Sequence, residues 1–179
     1  MTLEMIVIAA VRLLGALPVL RWPFFGGLFA LLVDQSDLFM MNLLPLGGVR
    51  GYQSFDKYLD QAYLLAFLAV AMRWPATPRN IALGLYAFRL LGFLVFELTD
   101  ERAVLLFFPN LFEFWFLLVA GLQRFRIEDR LSQGAFRSLV AGLVALKLFQ
   151  EYAIHYARWL DGFTATEAVE AVWRWLTPF

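Results

Sequence analysis

The stretch IALGLYAFRLLGFLVFE, residues 81–97, decides the fold class of this chain. It is apolar over almost its whole length, and Arg89 is the one charged residue in its interior. A membrane-spanning α-helix needs about 20 predominantly apolar residues, and this stretch comes close to that length. The sequence therefore predicts a transmembrane helix at this position.

Further stretches of the same kind lie on both sides of it, separated by short segments rich in Arg, Pro and Gly. Of the 179 residues, 61% are hydrophobic and 17% aromatic, which is more apolar surface than a soluble domain of this size can bury. We therefore predict an all-α integral membrane bundle of about six transmembrane helices. The predicted helices are residues 3–20, 24–46, 58–74, 81–97, 103–122 and 138–158.

The predicted domain organisation is a transmembrane helical domain, residues 1–160, followed by an amphipathic interfacial segment, residues 161–179. In that segment Thr164 and Glu167 have the spacing of a helix start, and its tryptophans are side chains that favour the headgroup level of a bilayer. The first apolar stretch contains Arg12 and lacks a small-residue cleavage site. We therefore predict that this stretch is a retained helix.

Charge and two rare residue types exclude several classes of function. The 15 basic and 15 acidic residues cancel, so no net basic field exists that would attract nucleic acid. The chain has no cysteine, which excludes disulfides and thiolate metal sites, and its single histidine, His155, excludes a zinc site that needs two imidazoles. Membrane lipid is the expected partner, and a second copy or another membrane protein is a further candidate.

Lys and Arg in the loops predict the orientation of the bundle. Six spans would leave seven of these residues on one side and five on the other, the latter together with most of the acids. Because positive residues favour the cytoplasmic side, we expect both termini and the acidic loop outside the cytoplasm. The first side holds Arg21, Arg73, Arg79, Arg124, Arg126, Arg130 and Arg137; the second holds Arg50, Lys57, Arg102, Arg158 and Arg174.

Two pairs of aspartates are the leading candidates for a functional site. Asp34 and Asp37 are spaced i,i+3 and Asp56 and Asp60 are spaced i,i+4, so each pair is predicted to project from one helical face near the membrane boundary. Carboxylates crowded there need a cation, and oxygen ligands of this kind suit Mg²⁺ or Mn²⁺. In the alternative interpretation, the acids solvate a helix end and form salt bridges with basic neighbours, Arg50 and Lys57.

The same region resembles the CDP-alcohol phosphatidyltransferases, membrane enzymes with six spanning helices and a motif of paired acids. Asp34-Gln35-Ser36-Asp37 is similar to the first half of that motif and Asp56-Lys57-Tyr58-Leu59-Asp60 to the second, while Arg12 and Pro18 are similar to residues of the family's first helix. Leu38, Met41 and Asn42 stand where the family has Gly, Ala and Arg. In a second register, Phe55 to Asp60 match an earlier part of the motif and Leu64 replaces its last acid.

The resemblance implies a function and a role for each residue of the motif. Asp34, Asp37 and Asp56 would be ligands of the metal, and Asp60 would be a further ligand or the general base that takes a proton from an acceptor hydroxyl. The metal would be Mg²⁺ or Mn²⁺, bridging to substrate phosphate. Four neighbouring side chains would hold the phosphate or headgroup: Arg50, Tyr52, Gln53 and Lys57.

Five ionisable residues fall inside the predicted spans, where charge is costly and each should face the bundle interior. Lys147, Glu151 and His155 are spaced i,i+4 in succession and are predicted to pair along one helix face. Arg89 and Glu113 are predicted to pair between neighbouring helices. These residues would form a proton or ion path, or the polar wall of a headgroup pocket, or internal pairs that fix helix register.

Three functions therefore compete. The first is a divalent-metal-dependent, lipid-modifying transferase that uses the aspartates. The second is a small ion-coupled permease with an intramembrane charged pathway. The third is a non-catalytic membrane subunit or assembly partner.

Overall fold

A computed structural model of the chain describes residues 2–43, 46–49, 51–101, 103–127, 130–153, 157 and 164–177, without the side chains of residues 38, 42, 43, 53, 165 and 166. All regular secondary structure in these ranges is helical, which confirms the predicted all-α class. The helices are α1 (Leu3–Ala16), α2 (Pro18–Arg21), α3 (Pro23–Gln35), α4 (Asp37–Leu43), α5 (Tyr52–Ala71), α6 (Ala76–Thr99), α7 (Val104–Phe107), α8 (Leu111–Phe125), α9 (Gln133–Glu151) and α10 (Ala165–Leu176).

Breaks divide three of the predicted helices. α2 begins at Pro18, whose missing N–H is tolerated in the first turn of a helix. The predicted helix 24–46 is divided at Ser36 into α3 and α4, so Asp34 and Asp37 do not share a helix as the sequence pattern suggested. The predicted helix 103–122 is divided around Pro109, where the chain leaves α7 and enters α8.

Consecutive long helices alternate in direction. Tyr58, near the start of α5, donates a hydrogen bond to Glu97, near the end of α6, at 3.1 Å. Glu113, early in α8, likewise pairs with Lys147, late in α9, at 3.0 Å. α1, α5 and α8 therefore begin at one end of the bundle, and α3, α6 and α9 begin at the other.

The apolar core lies between α2, α3, α5 and α8. Phe67 of α5 stacks on Phe116 of α8 with ring centroids 3.9 Å apart, and Trp74 stacks on Phe116 at 5.4 Å. α2 and α3 approach closely at Gly26, where an added Cβ would lie 2.4 Å from the carbonyl carbon of Pro18. Many large apolar side chains stay outside this core, including Leu98, which is 86% exposed, as expected for a surface that faces lipid.

Among the residues that the structure describes, three helical segments are long and apolar enough to cross a membrane: Leu3–Arg21, Pro23–Met41 and Ala76–Thr99. They support a membrane protein, but they are half of the six spans predicted from the sequence. α8 has 15 residues, about 22 Å of helix, which is short for a bilayer core. α5 and α9 are long enough but carry several charged residues in their sequences.

The C-terminal segment forms α10, which packs near α4. The predicted helix start is confirmed, because the Thr164 side chain accepts from the Glu167 backbone N–H and the Glu167 carboxylate accepts from the Thr164 backbone. Those hydrogen bonds to the ionised form lower the pKa of Glu167. Val169, Val172 and Trp173 form an exposed apolar stripe, the face that an interfacial helix presents to lipid.

Candidate functional site

Four aspartates converge on one guanidinium group, that of Arg12. Its Nη1 donates to Asp37 at 2.9 Å and to Asp56 at 2.7 Å, and its Nη2 donates to Asp60 at 2.6 Å and to Asp34. The planar donor array of arginine suits such multiple carboxylate contacts. Arg12 is 3% exposed, so this charge is held by the protein and not by water.

Four helices supply these side chains. Arg12 comes from α1, Asp34 from the end of α3 and Asp37 from the start of α4. Asp56 and Asp60, one turn apart on α5, both face Arg12, as their i,i+4 spacing predicted. Arg12 has nine residues on either side of it in the candidate span Leu3–Arg21, whereas Asp34, Asp37 and Asp56 lie at or near the ends of their helices.

Lys57 adds a second cation to this group. Its Nζ lies 2.5 Å from Asp56 and 3.0 Å from Asp60. We call Arg12, Asp34, Asp37, Asp56, Lys57 and Asp60 the arginine–aspartate cluster. With every group ionised, four carboxylates face one guanidinium and one ammonium, so two negative charges remain in excess.

Two further polar side chains border the cluster. Gln35 Nε2 donates to Asp34 at 3.2 Å. Tyr52, the first residue of α5, hydrogen-bonds the Asp37 carboxylate through its hydroxyl. Tyr52 therefore borders the aspartates on the side of Asp37.

Asp34, Asp56 and Asp60 have the spacing of a group that can hold a metal ion. Each offers a carboxylate oxygen, and the three atoms lie within 4.8 Å of one another. Asp37, which the resemblance implied as a ligand, lies outside this trio, although it contacts Arg12 as the other three aspartates do. Three carboxylate oxygens, with water or phosphate completing the shell, form a set that Mg²⁺ and Mn²⁺ accept.

A second buried network, the glutamate–lysine cluster, comprises Tyr63, Asn110, Glu113, Lys147 and Glu151. Lys147 lies 3.0 Å from Glu113 and 3.2 Å from Glu151. Asn110 donates from its side chain to Glu113 at 2.7 Å and from its backbone to Glu151 at 3.0 Å. Tyr63 donates to Glu113 as well. The break before α8 thus exposes a backbone N–H that Glu151 satisfies.

α5 joins the two clusters. Tyr63 follows Asp60 by three residues on this helix, so the two side chains lie on neighbouring positions of one face. Both are buried, Asp60 at 5% and Tyr63 at 4% exposure. Polar groups therefore extend through the bundle interior from Arg12 on α1 to Glu151 on α9.

The structure brings most of the predicted site residues together, with one exception. The predicted Lys147–Glu151 pair is confirmed. The predicted Arg89–Glu113 pair is wrong. Arg89 donates to the Phe108 carbonyl at 3.0 Å, and Glu113 pairs with Lys147. Three predicted residues, Arg50, His155 and the side chain of Gln53, lie outside the described part of the chain.

Sequence reasoning missed three polar residues of these networks. The sequence analysis used Arg12 to predict a retained first helix and compared it with a family position, but did not assign it to the site, although a charge in the middle of an apolar stretch was a usable signal. Tyr63 and Asn110 gave no comparable signal, since a tyrosine or asparagine beside apolar residues is common in helices and at their ends.

Comparison with known proteins adds no relative to this picture. No protein-family model matches the chain, and no curated protein or solved structure is similar to it.

Proposed function

We propose that this chain is a divalent-cation-dependent membrane protein in which Asp34, Asp56 and Asp60 hold the ion, and that it acts as a lipid-modifying transferase on a phosphate-bearing substrate. The convergence of the Asp34, Asp56 and Asp60 carboxylates carries this proposal, and when every group of the arginine–aspartate cluster is ionised two negative charges remain in excess there. Buried carboxylates without a counter-charge are costly, so a divalent cation is the natural complement to that excess.

The chemistry of transfer to or from a phosphate fits the groups at the cluster. A metal held by three carboxylates binds phosphate oxygens and neutralises charge that develops during transfer. Asp60 serves in this proposal as a ligand, one of the two roles that the family resemblance implied for it. Lys57 and Tyr52 lie beside the aspartates and would contact the phosphate or headgroup.

Mn²⁺ binding to the purified protein in detergent tests the cation site. The unaltered protein should bind one Mn²⁺, detected by electron paramagnetic resonance, and Mg²⁺ should compete for it. Asp34→Asn and Asp56→Asn should each weaken binding about tenfold or more, the effect of losing about 1.4 kcal/mol. Glu97→Gln, which removes an exposed carboxylate that contacts Tyr58, is the matched control and should bind normally.

Two outcomes would contradict parts of this proposal. If the unaltered protein binds no Mn²⁺ and Mg²⁺ leaves its thermal stability unchanged, Arg12 and Lys57 are permanent counter-ions of a structural cluster. The third function, a non-catalytic membrane subunit, would then be favoured. If the ion binds but vesicles containing the protein show no metal-dependent change in lipid headgroups, the transferase part fails and the cation site stands.

A cation-coupled permease is the second candidate, and one observation favours it. Two buried ionic networks meet on α5, and Arg12 of one of them lies half-way along a candidate span, as in an intramembrane ion path. In this case Glu113→Gln should abolish proton or cation flux into vesicles while Mn²⁺ binding at the aspartates persists. Unaltered flux in that variant would remove the permease from consideration.

We infer further that the protein is a multi-pass membrane protein whose arginine-rich end faces the cytoplasm. Five arginines lie in loops or at helix ends on the side of the bundle where α3, α6 and α9 begin: Arg21, Arg73, Arg79, Arg124 and Arg130. Positive residues favour the cytoplasmic side. The start of α5, with Tyr52 and Asp56, then faces the other side, so a lipid-borne phosphate suits the site better than a soluble cytoplasmic donor.

A further inference from the structure

An apolar groove lies between α6, α8 and α9, on helices that the arginine–aspartate cluster does not use. Its volume is about 470 Å³. Residues of all three helices line it, among them Leu85, Phe114, Trp115, Phe136, Arg137 and Val144. This volume is in the range of small-molecule binding sites in proteins.

The groove lies beneath the arginine-rich end of the bundle. Ile81 and Leu85, which form its α6 wall, stand five and nine residues after the start of α6 at Ala76. At 1.5 Å per residue this is about 7–14 Å along the helix axis, inside the apolar segment Ala76–Thr99. The groove is therefore at the depth of lipid acyl chains if α6 crosses the membrane.

Arg137 is the one charged residue that lines the groove. It lies near the start of α9, and within the described residues it forms no ion pair or side-chain hydrogen bond. Its aliphatic stem can cover the apolar wall while the guanidinium reaches the headgroup level. Arg79 and Arg130 stand near the same end, so an anion there meets a positive field.

We propose that this groove binds an acyl chain of an anionic phospholipid and that Arg137 pairs with the lipid phosphate. The groove is lined almost entirely by apolar side chains. The indole N–H of Trp115 already donates a hydrogen bond to the Pro78 carbonyl at 3.0 Å. A peptide would find no partners there for its backbone groups, whereas a hydrocarbon chain needs none. Basic pockets between membrane helices bind anionic headgroups by the same physics.

This site is separate from the proposed cation site. The arginine–aspartate cluster lies on α1, α3, α4 and α5, while the groove lies on α6, α8 and α9. Lipid binding in the groove therefore does not require that the aspartates bind a metal. Failure of one proposal leaves the other standing.

Lipid retention by the full-length protein tests the proposal. The protein is purified in detergent, incubated with phosphatidylglycerol, phosphatidylcholine or soluble glycerol phosphate, and examined by native mass spectrometry. One phosphatidylglycerol should be retained, with phosphatidylcholine retained about tenfold less, a difference of about 1.4 kcal/mol, because its choline cation offsets the phosphate charge and is repelled by the arginines at this end. Glycerol phosphate should not be retained, because it has no acyl chain to fill the groove. Arg137→Gln should remove the preference for phosphatidylglycerol, and Ala141→Phe, which fills the groove, should remove retention of both lipids.

Two control variants keep the test specific. Arg73→Gln removes an exposed arginine at the same end, and Ala145→Phe adds a ring on an exposed position of α9 that does not line the groove. Both should retain phosphatidylglycerol normally. Equal retention of the two lipids by the unaltered protein, or normal phosphatidylglycerol retention in Arg137→Gln, would overturn the assignment of an anionic lipid. A dimer that Ala141→Phe dissociates would show that a second copy occupies the groove instead.

Discussion

The guanidinium of Arg12 satisfies four carboxylates that come from three other helices, α3, α4 and α5. Both terminal nitrogens serve two aspartates each, while Nε has no hydrogen-bond partner among the described residues. With every group ionised, removing this one cation would leave three negative charges in excess within the cluster, where Lys57 is the remaining cation in contact with the acids. Such uncompensated buried charge is strongly destabilising.

Arg12→Gln should therefore lower the free energy of unfolding by about 3–5 kcal/mol, the usual effect of breaking a buried pair. Arg12→Lys should lose less, because it keeps the charge but cannot reach four carboxylates with a planar array. Unfolding in mixed detergent and sodium dodecyl sulfate measures both. Saturating Mn²⁺ should offset part of the loss in Arg12→Gln, since a cation at Asp34, Asp56 and Asp60 would reduce the excess charge.

Arg21→Gln is the matched control for this prediction. Arg21 ends α2, is exposed, and forms no ion pair with another described residue, so its loss should change stability by no more than about 0.5 kcal/mol. If Arg12→Gln behaves like Arg21→Gln, the four aspartates do not carry the buried negative charge counted above, and the excess of charge that supports a cation site is absent.

At the scale of single residues, the sequence predicted which aspartates lie close together, but it did not predict their full arrangement. The i,i+4 spacing of Asp56 and Asp60 was sufficient, because both lie on one uninterrupted helix. The arrangement of Asp34 and Asp37 was not predictable, because a single break at Ser36 changes the direction of every following side chain. Nor could Arg12 be placed at the centre, since that requires knowing how α1, α3 and α5 pack.

Glycines set how closely α2 and α3 pack. At Gly26 an added Cβ would lie 2.4 Å from Pro18 C and 2.5 Å from Val19 N, which are backbone atoms that cannot turn aside. Gly26→Ala must therefore push the helices apart. It should lower the free energy of unfolding by about 1–3 kcal/mol, as overpacking does.

Gly84→Ala is the control at the level of the element. It also lies within an apolar helix, α6, but nothing stands within 4 Å of the Cβ that it would gain. Stability should stay constant or rise by up to about 1 kcal/mol, because alanine is the better helix former. Equal losses in both variants would indicate a general intolerance of helix substitutions rather than close packing at Gly26.

The sequence predicted the ends of helices where proline or a polar run ended an apolar stretch. It did not predict them elsewhere. α6, Ala76–Thr99, contains the predicted helix 81–97 because a proline-rich turn precedes it and acids follow it. α5 begins earlier than predicted, at Tyr52, because its first turns are polar and carry the aspartates inward. A hydropathy pattern does not detect a helical segment whose side chains are polar but buried.

Within the described part of the chain, basic and acidic residues concentrate at opposite ends of the bundle. Arginines concentrate where α3, α6 and α9 begin, and Glu97, Asp100 and Glu101 concentrate where α6 ends. The loops on the two sides differ modestly in Lys and Arg, with seven on one side and five on the other. Because successive helices alternate in direction, these loops lie at opposite ends of the bundle. The number of membrane crossings was less predictable, because α5 and α9 bury charge among their neighbours and so lack the composition of an independent span.

The orientation can be measured directly because the chain has no cysteine, so one introduced thiol gives an unambiguous signal. Glu101→Cys places it after the end of α6, and Gln123→Cys places it at the opposite, arginine-rich end; both positions are exposed. In intact cells, a membrane-impermeant maleimide should label Glu101→Cys and should label Gln123→Cys only after permeabilisation, because positive residues are retained in the cytoplasm.

The cysteine-free parent protein is the control for background labelling, and a permeant maleimide should label both variants equally. The reverse pattern would place the start of α5 in the cytoplasm and make a soluble, nucleotide-linked phosphate donor available to Asp34, Asp56 and Asp60. It would also place the groove beside Arg137 in the outer leaflet. Labelling of both sites in intact cells would mean that α6 and α8 do not separate the two ends across a membrane.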